Sequence, residues 1–189
     1  PFSQAPVNIA QDQCPRFDTS LSKLHQLKPA FRSGGTVTAG NSCPINDGAA
    51  TVLMTGSQTG GAMAGYYLGH TTVGIAPEKF ILGPIAATQK LLDKYALTMS
   101  DIAVVELNEA FAVQSILCQA ALKITDEQLN PLGGALAYGH PYGATGGIMI
   151  ARLLNSLNRI TQPALGIATL CVAGGMGMSM LIGNQHWQV

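Results

Sequence analysis

Ile102-Ala103-Val104-Val105-Glu106-Leu107-Asn108-Glu109-Ala110-Phe111 is the stretch from which the fold is read. Ser100 and Asp101 introduce it. Its first six residues are apolar apart from Glu106, so they predict a strand over 102–107. An apolar helical pattern begins at Ala110 and runs to Lys123. A strand passing almost directly into a helix is half of a crossover unit. The same alternation continues outward on both sides. Upstream lie an apolar run from Ala49 to Met54, a helix after Ser57, a strand near Thr71 to Ile75 and a helix from about Pro84 to Tyr95. Downstream, past a Gly-rich loop, a helix from about Ala144 to Asn158 carries Ile148, Ala151, Leu154 and Leu157 as one stripe. Two strands close the chain, Leu165–Cys171 and Gly177–Ile182, joined through Gly174 and Gly175 as an antiparallel hairpin. The pattern predicts an α/β unit in βαβαβαββ-like order, a mixed sheet with helices on both faces. Residues 1–40, punctuated by Pro6, Pro15, Pro29, Gly34 and Gly35, read as an irregular lead-in with one short helix between Asp18 and Leu27. Residues 41–189 form the domain.

Composition narrows the function. The 189 residues include ten basic and ten acidic side chains, with no run of either sign. This gives no footprint for nucleic acid or anionic lipid. Charged residues make up 11% of the chain, where about 25% is ordinary. No apolar run reaches the roughly 18 residues of a spanning helix, so burial in an assembly is the expected cause, and a homo-oligomer the expected state. Cys14, Cys43, Cys118 and Cys171 show neither CxxC spacing nor the density of a secreted disulfide scaffold, which points to a reducing, cytoplasmic setting. The start, Pro1-Phe2-Ser3-Gln4, lacks the basic and hydrophobic regions of a signal peptide. It also lacks Met, as a fragment, a processed chain or an incomplete record would.

Three places put a polar or reactive group where a strand meets a loop, the usual ligand position in α/β folds. Asn108-Glu109-Ala110-Phe111 by itself reads as helix initiation, with Asn108 as N-cap. Gly133 to Gly147 surrounds a single histidine, His140, with glycines and a proline just before a helix, so the backbone approaches something closely there. Neither GxGxxG nor GxxxxGK occurs, which excludes a nucleotide cradle. Cys171 ends a strand and is followed by Val172-Ala173-Gly174-Gly175-Met176-Gly177. A buried cysteine commonly behaves as a small hydrophobe; the glycines argue for a site instead. His140 is the evident partner for its thiol.

Taken together and in this order, the NEAF run at 108–111, the GGAxAxGHPxGAxG loop at 133–146 and the CxGG-like turn at 171–175 resemble the C-terminal half of a thiolase. Gly35-Thr36-Val37-Thr38-Ala39-Gly40-Asn41, Ile45-Asn46-Asp47-Gly48-Ala49-Ala50 and Leu27-Lys28-Pro29-Ala30-Phe31 resemble further family segments. The resemblance implies one half of a duplicated fold, with 41–189 as the C-terminal thiolase domain. It also implies acyl transfer between coenzyme A thioesters by Claisen chemistry, with acetyl-CoA or acyl-CoA as substrate and no tightly bound cofactor or metal.

On that resemblance, His140 helps deprotonate the family's nucleophilic cysteine and donates to the thioester oxygen. Cys171 removes or returns the α-proton, and Asn108 holds a water that completes the oxyanion site. The amide at Ala173 faces a second oxyanion hole, where the family has Gly. Arg16 is expected near the nucleotide of coenzyme A and Cys43 near the pantetheine arm, with Phe111 also on the substrate side. None of Cys14, Cys43 or Cys118 stands in the context of the family's acylated cysteine. Covalent catalysis requires that nucleophile, so the missing N-terminal half is the expected partner and the isolated chain is expected to be inactive. The acetoacetyl-CoA-forming type is preferred to the degradative 3-ketoacyl-CoA type. A non-catalytic acyl-CoA- or protein-binding module stands as the alternative. A ketosynthase would place His where Cys171 stands.

Overall fold

The computed structural model describes residues 8–56 and 63–188. Four strands form one sheet in the order β1-β4-β3-β2: β1 Gly65–Gly74, β2 Ile102–Leu107, β3 Leu165–Val172 and β4 Met176–Asn184. β2 and β3 are parallel, whereas β3–β4 and β4–β1 are antiparallel. The sheet is therefore mixed. The helices are α1 Leu21–His25, α2 Gly83–Lys94, α3 Ala112–Leu122, α4 Ala135–Tyr138 and α5 Thr145–Leu157.

Both faces of the sheet are covered. Leu91 and Leu92 of α2 and Cys118 and Leu122 of α3 pack on Val105, Leu107, Ile167 and Leu181. On the other face Met149, Leu153 and Leu157 of α5 pack on Val104, Ala168 and Ile182. Alternation explains the split along β2: successive side chains point to opposite faces, so Val104 and Glu106 face α5 while Val105 and Leu107 face α2 and α3. Buried hydroxyls pin α2 to the central strands, with Thr88 Oγ1 2.8 Å from Ser179 Oγ, itself 2.7 Å from Thr169 Oγ1. The outer edge of β2 is not left open: Val105 N–H donates to Gln128 O at 2.8 Å, and Asn130 N–H to Val105 O at 2.9 Å.

Two expectations are corrected. Ala49–Met54 is not a strand; it is extended and exposed, with Leu53 86% accessible, because no neighbouring strand among the described residues offers its backbone a partner. Asn108 is not the N-cap of α3. Phe111 holds that place, and the Asn108 N–H donates to Thr169 O at 3.0 Å, so pairing with β3 carries the chain one residue beyond Leu107. β1 begins earlier than expected, since Gly65 and Gly69 hide its strand character. The helix expected after Ser57 lies largely outside the described residues. The lead-in contains the short α1, capped by Ser20, whose Oγ accepts from Lys23 N–H at 3.3 Å.

Candidate active site

At the C-terminal end of β2, Asn108 is 1% exposed, and among the described residues neither its carboxamide oxygen nor its nitrogen has a hydrogen-bond partner. Buried polar atoms are nearly always paired, and leaving one unpaired costs about 1–3 kcal/mol. A fully unpaired carboxamide in the interior marks a place where something else binds. Beside it, Glu109 faces the other way: it accepts from Asn130 Nδ2 at 2.8 Å and from Leu136 N–H at 3.1 Å.

The glycine-rich loop delivers His140. Gly139 has φ +100, and a Cβ there would sit 2.1 Å from Asn46 Oδ1, so only glycine fits. His140 Nδ1 lies 2.7 Å from Thr145 Oγ1, in the first turn of α5, which fixes the ring and leaves Nε2 without a protein partner among the described residues. Burial holds the imidazole below the usual histidine range, which keeps it neutral near pH 7. Tyr142 stacks beside it, ring centroids 5.1 Å apart, in a left-handed conformation with φ +39. Such strain is found mainly where surrounding structure enforces it.

Cys171 is the penultimate residue of β3, partly buried. Burial pushes its thiol up; a backbone hydrogen bond lowers it and Cys43 raises it further. No hydrogen bond joins His140 to Cys171 among the described residues. What brings the parts together is the short segment 42–44. Ser42 bridges to Phe111, Cys43 N–H donates to Ala110 O at 3.1 Å, and Pro44 O accepts from His140 N–H at 2.9 Å. One strut thus touches both the NEAF run and the histidine loop.

Of the remaining expected residues, Phe111 packs edge-on against Phe31, with centroids 6.0 Å apart. Ala173 is exposed in the three-residue turn between β3 and β4, and its φ is not left-handed, so its Cβ introduces no backbone strain. Arg16 is exposed in the lead-in, where it helps lower the Asp18 carboxyl after Lys23 and a backbone hydrogen bond. Thr145, Glu109 and the Pro44 carbonyl escaped the sequence reading. Thr145 alone left a signal, a hydroxyl residue at a helix start five positions after the histidine.

Residues 62–184 match the family description "Thiolase, C-terminal domain", and residues 3–58 match "Thiolase, N-terminal domain". The chain belongs to the thiolase family. It is 41% identical over 175 residues to 3-ketoacyl-CoA thiolase B, peroxisomal, of Mus musculus, covering 90% of this chain and 41% of that protein. With the acetyl-CoA acetyltransferase of Escherichia coli (strain K12) it shares 38% over 191 residues, 94% of this chain and 48% of that one. The Bacillus anthracis acetyl-CoA acetyltransferase crystal structure superposes with a TM-score of 0.81 at 32% identity, covering 92% of this chain and 45% of that one. Human mitochondrial 3-ketoacyl-CoA thiolase in complex with CoA gives 0.79 at 27%, with the same coverage. The dimeric peroxisomal thiolase of Saccharomyces cerevisiae gives 0.77 at 29%, covering 92% and 44%. The chain spans less than half the length of each of these relatives.

Proposed function

We propose that this chain supplies the acid/base and oxyanion groups for acyl transfer between coenzyme A thioesters, in the sense 2 acetyl-CoA to acetoacetyl-CoA and CoA, reversibly. The observation that carries the reading is the buried Asn108 carboxamide, unpaired among the described residues and joined through the 42–44 strut to the His140 loop. A water held by Asn108, together with a His140 N–H, would meet the charge that develops on a thioester oxygen during enolate formation. Donors of this kind are worth about 3–4 kcal/mol each in acyl-transfer enzymes.

The electrostatics support the division of roles. A thiol held above its usual range by burial stays protonated, which suits Cys171 to returning a proton to the α-carbon in the cleavage direction. In condensation the same sulfur takes that proton as a thiolate. A neutral His140 retains a lone pair to accept the proton of an attacking thiol. Cys118 is unsuited to be acylated, being wholly buried with its thiol pushed up to about 11. We therefore place the nucleophile on a thiolase N-terminal segment outside these residues, and the partners in a homo-oligomer of the completed fold. Cysteines 14, 43, 118 and 171 are all free, which supports a reducing compartment, and we propose the cytoplasm; no helix among the described residues is long and apolar enough to cross a membrane. Identity of 41% to peroxisomal 3-ketoacyl-CoA thiolases favours a second reading, thiolysis of longer 3-ketoacyl-CoA.

The test is acetoacetyl-CoA thiolysis, with the purified chain alone and with the chain joined to an upstream thiolase segment carrying a nucleophilic cysteine. The expected result is no turnover alone, and turnover in the joined protein that His140→Asn or Cys171→Ser abolishes. Acetyl transfer by the chain alone, or turnover indifferent to both substitutions, would overturn the proposal. Repeating the assay with long-chain 3-ketoacyl-CoA separates the two readings.

A further inference from the structure

Arg152, on α5, lies outside every motif discussed so far. Its side chain makes four contacts. Nη2 donates to Leu132 O at 2.5 Å and to Gly133 O at 2.6 Å. The guanidinium stacks 4.3 Å over the Tyr138 ring. Nε lies 3.7 Å from Oε2 of Glu106, whose carboxyl is 1% exposed. Arg152 thus grips the start of the histidine loop at two successive carbonyls and its far end at Tyr138, two residues before His140. Glu106 anchors the grip to β2, two residues before Asn108.

We propose that Arg152 is the positioning residue for His140, with Glu106 as its buried partner on β2, so that Asn108 and His140 are held in register through one side-chain pair. The inference rests on the reading of His140 as an acid/base group. Three features favour a positioning role over a merely stabilising one. Both contacted carbonyls, Leu132 and Gly133, lie at the entry to the loop and not in the α5 helix. The guanidinium meets both carbonyls through Nη2 while its plane stacks on the Tyr138 ring, a stacked geometry that a lysine ammonium does not reproduce. The charge is expensive to hold: Glu106 Oε1 and Arg152 Nε have no hydrogen-bond partner among the described residues, and a buried pair of this geometry adds little net stability. Glu106 from β2 and Tyr138 from α4 lie against Arg152, Glu109 is close by Glu106, and Asp12 and Asp47 line the same cleft as the guanidinium. Glu109 is already engaged with Asn130 and Leu136, and Glu106 is the carboxylate that lies within 4.0 Å of the guanidinium among the described residues.

The experiment follows the His140 ring protons by NMR through a pH titration of the 189-residue chain, with His140→Gln to assign them, in wild type, Arg152→Leu and Arg152→Lys. Loss of the clamp lets the imidazole reach solvent. The midpoint is then expected to rise toward the ordinary histidine value by about 0.5 pH unit or more in Arg152→Leu, and by less in Arg152→Lys. Should Arg152→Leu fail to fold, Arg152→Lys decides, because it keeps a positive charge beside Glu106. A folded Arg152→Lys chain with the wild-type midpoint overturns the proposal. In the joined, active protein the expected signature is a kcat lowered about tenfold or more with KM within about twofold, since the group gripped acts in the chemical step; equal loss in KM and none in kcat counts against it. The two claims fail separately. An unmoved His140 signal refutes the clamp whatever the enzyme does, while a moved signal beside turnover indifferent to His140→Asn refutes the catalytic reading alone.

Discussion

Replacing Glu106 with Gln tests how this interior is charged. Burial, with Glu109 adding and Arg152 opposing, raises the Glu106 carboxyl from 4.5 to about 7. The folded chain therefore keeps a proton that the unfolded chain releases across that interval. The sign follows from linkage: a raised carboxyl contributes stability that is present below its unfolded value and lost as pH rises through the folded one. The full loss is about 3 kcal/mol, most of which falls between pH 5 and pH 8. Glu106 is 1% exposed, so solvent does little to screen it. The assay is urea unfolding of wild type and Glu106→Gln at both pH values, comparing midpoints at constant m. Other carboxyls and histidines titrate alike in both proteins and cancel in the difference. Loss of the Arg152 partner shifts the variant by an offset that depends far less on pH. Relative to wild type, the variant should gain about 2–3 kcal/mol between pH 5 and pH 8. Parallel pH curves would refute the reasoning and with it the placement of an ionisable group so deep in the sheet.

Asn108→Leu removes an unpaired buried carboxamide at similar volume. It is expected to unfold at equal or higher urea, by up to about 1–3 kcal/mol, while abolishing turnover in the joined protein; a loss of stability would mean that the carboxamide has a protein partner. Thr145→Val removes the hydroxyl at His140 Nδ1, and about a tenfold fall in kcat is expected with a stability loss of about 1 kcal/mol. Gly139→Ala must place a Cβ on the Asn46 carboxamide at an unsuitable φ, so destabilisation of about 2 kcal/mol or more is expected in the same urea assay. In alkylation at pH 8, Cys118 should stay unmodified in the folded chain and react in urea, because it is wholly buried and its thiol is pushed up to about 11.

Much of the domain was legible because its elements are periodic and well punctuated. The bounds of β2 were read directly, and α5 was found where expected, but the stripe read on it, Ile148, Ala151, Leu154 and Leu157, is out of phase: Ala151 is exposed, and Met149, Leu153 and Leu157 carry the core. Local pattern failed where partners decide. The run 49–54 has the composition of a strand, yet a strand exists only against a neighbour. Asn108 has the composition of a cap, yet β3 claimed its amide. Of the site, the chemistry-bearing residues stood out through glycine and motif context. Their supports did not: Thr145, Glu109, Arg152 and Glu106 are ordinary helix, loop and strand residues in sequence. Their importance arises only when a loop 20 residues away from Arg152 folds back onto its guanidinium.

The 42–44 strut also bears on how this protein can be divided. It stitches the site together by backbone hydrogen bonds and a backbone bridge, so a cysteine or another small residue can occupy position 43 without undoing the assembly. Yet the strut lies within the stretch that matches the N-terminal thiolase description, which ends at residue 58, while both groups it joins lie in the C-terminal one. A chimera or split protein cut at that junction would sever the strut from the loop it holds and recover the site only by reassociation. One cut near residue 41 would carry the strut with the site. The seam in the sequence and the seam in the chemistry are about 20 residues apart.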